Sequence, residues 1–133
     1  METKDKELLL KDLCARLPYE VKVYLNTDMY PNWTGNYILT AIKSQYYLVQ
    51  CSVKHFSCWC NLECVKPYLF PMSSMTEEQR KEMSLFDPFK TDKVKTLGEW
   101  AVCLVNFYNK YHLDYNGLIP KGLALDATGL NIY

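Results

Sequence analysis

The chain has 133 residues, with fifteen Lys and Arg against fifteen Asp and Glu. That length suits one domain, 1–133, and is enough to bury a core without obligatory metal or disulfide staples. Charge balances within each stretch of the sequence, so no basic block exists to draw nucleic acid or an anionic membrane surface, and neither is an expected partner.

Three parts are expected: a helix in 1–18, a β-rich part in 19–70, and a helical part with a tail in 71–133. The first stretch, METKDKELLLKDLCARL, interleaves charges with leucines. It lacks the apolar run and small-residue cleavage site of a secretory signal, which predicts a cytoplasmic protein. The six cysteines are then expected as reduced thiols. Leu10, Leu13, Cys14 and Leu17 form a helical stripe, and Pro18 ends the helix.

Residues 21–69 change character. VKVYL, NYILTAI, YYLVQCSV and LECVKPYL are rich in β-branched and aromatic residues. Turn-type breaks separate them at Asn26-Thr27-Asp28, Pro31-Asn32, Gly35-Asn36 and Lys43-Ser44-Gln45. The pattern predicts a small antiparallel meander or half-barrel of about four strands.

Thr76 and Gln79 form a capping box, so a helix is expected over residues 77–85, stopped by Asp87-Pro88. Residues 89–95 read as a charged connector. TLGEWAVCLVNFYNKY follows and is expected to be the central core helix. Leu97, Trp100, Ala101, Leu104, Tyr108 and Tyr111 share its inward face. Thr96 and Glu99 cap its start, and Lys110 and His112 suit the negative end of its dipole. Its interruption by Glu99, Asn106 and Asn109 rules out a membrane span. Asn116-Gly117 and Lys121-Gly122 then punctuate an ordered tail that packs through Leu118, Ile119, Leu123 and Leu125. The fold class is α+β: N-terminal helix, sheet, two helices and a packed C-terminal tail.

Three stretches, LLLKDLCARLPYEVKV, VKPYLFPMSSMTEEQRKEM and FYNKYHLDYNGLIPKGLALDA, resemble a family of short uncharacterised proteins from Bacteroides-type gut bacteria and their phages or other mobile elements. The match covers roughly half of the chain, at both ends and the centre, and leaves out residues 24–59 and the terminal 128–133. The resemblance implies a bacterial protein, or one in the host cytoplasm if phage-encoded. It implies no activity, cofactor or catalytic residue.

Two local patterns carry chemistry. His55, Cys58, Cys60 and Cys64 offer the imidazole and thiolates that zinc prefers. Only Cys60 and Cys64 have the spacing of a zinc knuckle, so zinc is the secondary reading and packed thiols the primary one. The second pattern is aromatic. Tyr24, Tyr30, Trp33, Tyr37, Tyr46, Tyr47, Phe56 and Trp59 crowd the β region; Tyr30, Trp33, Tyr37, Tyr46 and Trp59 are the binding candidates, and Trp33 lies in a turn, Pro31-Asn32-Trp33-Thr34-Gly35. An aromatic loop without strong charge suits a protein or small-molecule contact better than a phosphate backbone. No nucleophile elbow, phosphate loop or dinucleotide fingerprint is present, so no catalytic residue is assigned. The expected function is a non-enzymatic interaction module that binds a protein partner or itself through the outer sheet face and the Trp33 turn. The alternatives are an oligomer that sequesters a nucleotide or other small molecule, and a zinc-stabilised module.

Overall fold

The computed structural model describes residues 1–90 and 96–133. Most of the expected connector at 89–95 therefore lies outside the described residues. Helix α1 runs Thr3–Arg16 and ends in a 3-10 turn, Leu17–Tyr19, that takes Pro18 near its start. Its buried line is Leu9, Asp12, Leu13 and Arg16, not the expected Leu10, Leu13, Cys14, Leu17 stripe. Cys14 is exposed, and Leu10 and Leu17 are half-buried. The face can turn this way because the two charges inside it neutralise each other. Arg16 donates from Nε to Asp12 at 2.7 Å and from a second guanidinium nitrogen to the Leu113 carbonyl at 2.7 Å. Asn116 donates to the same carboxylate at 2.8 Å. A buried charge pair is tolerated when most of its hydrogen bonds are met in this manner; of the pair's polar atoms, Arg16 Nη1 alone lacks a partner among the described residues.

Four strands form a meander: β1 Lys22–Leu25, β2 Gly35–Lys43, β3 Leu48–Val53 and β4 Phe56–Asn61. β5, Val65–Leu69, returns to pair antiparallel with β1, and β6, Leu125–Asp126, pairs parallel with β5. The sheet thus has six strands in the order β4-β3-β2-β1-β5-β6, two more than expected. β4 and β5 are joined only by the 3-10 turn Leu62–Cys64, yet three strands separate them in the sheet. Laid flat, they would sit about 19 Å apart at the usual strand spacing. The four steps from Asn61 to Val65 reach at most about 15 Å. The sheet must therefore curl, which gives the expected half-barrel its physical cause. An irregularity between Leu39 and Ala41 breaks the β2–β3 register, and such bulges bend a strand further.

Inside the curl lie Val23 and Leu25, Tyr37 and Leu39, Val49 and Cys51, Cys58, Leu62, Val65 and Leu69, sealed by Leu9 and Leu13 of α1 and by Leu118, Leu123 and Ala124 of the tail. Alternation along each strand sends these side chains to one face.

Helix α2, Glu77–Ser84, carries the full Thr76–Gln79 capping box. Helix α3, Leu97–Lys110, starts where expected, with the Thr96 hydroxyl accepting from the Glu99 amide at 3.0 Å. It is not the core helix. Only Phe107 and Asn109 are buried, and Leu97 is 65% exposed and Val102 60%. The inner face of the sheet is already filled by α1 and the tail. The tail is ordered as expected, and its β6 adds to the sheet edge.

Candidate functional site

The segment between β1 and β2 carries Tyr30 and the 3-10 turn Pro31–Trp33. Trp33 folds inward and is half-buried against the core. Tyr30 stacks on it, with ring centroids 4.2 Å apart and planes inclined by 22°. Phe56 of β4 meets Trp33 edge-on at 5.6 Å and Tyr37 at 6.2 Å. The Tyr37 hydroxyl donates to the Trp33 carbonyl, so the turn is pinned to β2. Such offset and edge-on pairs are the favoured aromatic geometries.

A recess of about 370 Å³ opens beside this cluster. Tyr30 and Trp33 line it together with Trp59, Cys60 and Asn61 of β4 and with Asn26 and Asp28. Lys43 sits over the Trp59 ring at 4.5 Å, a cation–π contact. The structure therefore brings Tyr30, Trp33 and Trp59 together. Tyr37 is buried at 7% exposure and acts as a support, not a contact residue. Tyr46 lies on the turn Ser44–Tyr46, 67% exposed and outside the recess. Trp33 belongs to the edge of the inner side, packed against the core. Asn61 is the participant that sequence reasoning left out, and Phe56 counts there among the aromatics of the β region but not as a contact residue. The alternation in Phe56–Asn61 after the Lys54-His55 turn was the signal that could have found them.

The expected zinc ligands do not assemble. His55 is exposed in the β3–β4 turn, whereas Cys58 points into the core. Among the described residues no group of three or more His, Cys, Asp or Glu could hold a metal ion. Cys60 pairs instead with Cys51, their sulfurs 3.9 Å apart across β3 and β4. The hydrogen bond from Cys51 holds the Cys60 thiol below its ordinary value against the opposing effect of burial. The same hydrogen bond, together with burial, pushes Cys51 far up. Cys58 and Cys64 are raised, chiefly by burial. Cys60, which lines the recess, is thus the more easily ionised of that pair.

His112 does not act as a cation at the end of α3. It has a left-handed φ of 57° and stacks on Tyr133 at 3.6 Å. Burial, then the nearby charges of Arg16 and Lys22, lower its pKa to about 4, so it is neutral at pH 7. Asp114 accepts from the amides of Leu118 and Ile119 at 2.8 and 2.9 Å, a structural role in the tail.

A larger recess of about 590 Å³ lies on the outer sheet face by Lys22, Thr40, Ser52 and Asn131. Some of its polar groups are already engaged. Thr40, Ser52 and Ser57 form a hydroxyl chain with steps of 3.0 and 2.8 Å, and Lys22 donates to the Ile132 carbonyl at 2.6 Å. The aromatic recess has the more apolar lining of the two.

Against known proteins, the chain matches no family model, no curated protein and no solved structure. Fold and site together define an α+β protein with an aromatic recess at one edge of a curled sheet. Among the described residues no helix is long and apolar enough to cross a membrane.

Proposed function

We propose that the protein is a non-enzymatic interaction module, an accessory protein of a bacterium or its phage acting in the cytoplasm, that contacts a protein partner through the aromatic recess. The observation that carries this reading is that the stacked Tyr30–Trp33 pair and Trp59 line one recess. Pocketed aromatic anchors dominate protein interfaces because they bury much area with little loss of side-chain freedom. Net charge zero and an apolar lining favour a protein surface over a nucleic-acid backbone.

The test is a selection from a displayed random-peptide library against the full chain. Binders should lose about tenfold or more in affinity for Trp33→Ala, while the variant keeps its circular dichroism spectrum. Binders indifferent to Trp33→Ala would remove the assignment. A second reading, sequestration of a nucleotide or other small molecule, is favoured by the volume of the recess, about 370 Å³, which falls within the usual range for small ligands. Quenching of tryptophan fluorescence by a nucleoside monophosphate, lost in Trp33→Ala, would support it.

A further inference from the structure

Cys51 of β3 and Cys60 of β4 lie on neighbouring strands whose register sets Cys58 opposite Cys51 and Cys60 opposite Val49. Residues two apart on a strand share a face. Cys58 and Cys60 therefore point to the side of the sheet that Cys51 occupies, and Cys60 is its diagonal neighbour. The sulfurs of Cys51 and Cys60 meet at 3.9 Å. Cys60 also donates to the Val49 carbonyl at 3.8 Å, which holds its sulfur beside that of Cys51.

The two thiols differ in access. Cys51 is fully buried, whereas Cys60 is half-buried and lines the aromatic recess. A small solute entering that recess reaches one sulfur of the pair and not the other. The hydrogen bond from Cys51 favours the thiolate of Cys60, which is the nucleophilic form. An accessible, ionisable thiol set against a second thiol that can resolve it is the arrangement of peroxide-sensitive cysteines. Cys58 and Cys64 are poorer points of attack, because burial raises both, and Cys58 is only 5% exposed.

We infer that Cys60 and Cys51 form a redox-active dithiol, which a small hydroperoxide entering the aromatic recess oxidises to a disulfide. The Cys60 thiolate attacks one peroxide oxygen. An S–O bond forms, the O–O bond breaks, and the departing oxygen takes up a proton as water or an alcohol. The Cys51 sulfur then displaces the hydroxyl of the Cys60 sulfenic acid. The S–S bond forms, the S–O bond breaks, and the hydroxyl leaves with the Cys51 proton as water. Two thiols lose two electrons and the peroxide gains them. A dithiol reverses the change by exchange and becomes a disulfide itself. The bridge needs sulfurs about 2.05 Å apart, so the pair must close from 3.9 Å. β4 can supply that movement. Among the described residues it pairs only with β3, and Cys60 is next to its last residue. The inference does not depend on what else the recess binds.

The test treats the full reduced chain with a small excess of hydrogen peroxide, blocks the remaining thiols and follows the intact mass. The chain should lose the mass of two hydrogens and regain it with dithiothreitol. Cleavage after Lys54, which lies between the two cysteines, and fragmentation of the linked peptides should show Cys51 joined to Cys60. Cys60→Ser should slow the first oxidation by about tenfold or more. Cys51→Ala should halt at a Cys60 sulfenic acid that dimedone captures. Cys58→Ser and Cys64→Ser should form the bridge as the parent does. A parent that keeps its reduced mass, whose six cysteines oxidise without preference, or whose first bridge joins any other pair overturns the inference. Should Cys51→Ala fail to fold, the bridge mapped in the parent decides.

Discussion

At the scale of single residues, the buried charges of α1 are the strongest point of leverage. Asp12 and Arg16 are both fully buried, and removing one partner strands the other. Arg16→Leu should cost about 3–5 kcal/mol, read as the shift in the urea unfolding midpoint. A loss below about 1 kcal/mol would mean that water reaches the pair. His112 gives a pH dependence whose sign follows from its lowered pKa of about 4 against an ordinary 6.5. Between those values the unfolded chain binds a proton that the folded chain refuses. Its contribution is complete above pH 6.5 and is lost as pH falls toward 4. His112→Asn, which tolerates the left-handed backbone, should flatten the fall in unfolding free energy over that window. An unchanged slope would place the histidine in solvent. Neither feature could be read from sequence. An Asp and an Arg four apart look like a solvated pair, and a histidine after a helix looks like a cap, until the tail is known to cover both.

At the scale of elements, what the sequence revealed depended on how local the cause was. The Thr76 capping box is complete and Thr96 accepts from Glu99, because a cap involves residues only three apart. The first three strands were visible in their β-branched and aromatic runs. β4 was obscured because its cysteines and His55 invited a metal reading, and β6 because two residues carry no period. The largest misreading concerns α3. Its apolar sequence predicts a core position, but α1 and the tail occupy the inner face of the sheet, and periodicity cannot say which of two apolar helices wins that place. Leu9→Ala, deep in the core cluster, should cost about 2–5 kcal/mol. Leu97→Ala, mostly exposed, should stay within about 0.5 kcal/mol. Paired urea titrations check both, and a large cost for Leu97→Ala would return α3 to the core.

At the scale of the whole molecule, the short Leu62–Cys64 turn curls the sheet, and the curl sets the candidate site. It brings the segment after β1 alongside β4, so that residues 30, 33 and 59, distant in sequence, share one recess. Sequence could nominate these aromatics but could not separate them from Tyr37, which is buried, or Tyr46, which stands apart, because that division depends on the curl. The three tryptophans of the chain allow the contact surface to be read directly. Trp33 and Trp59 line the recess, while Trp100 lies on α3. The measurement is a titration of the full chain with a selected peptide, following the three indole N–H resonances by NMR. The expected result is that Trp33 and Trp59 shift and Trp100 stays in place. Movement of Trp100 alone, with Trp33 and Trp59 unmoved, would contradict the assignment and put the contact surface on α3.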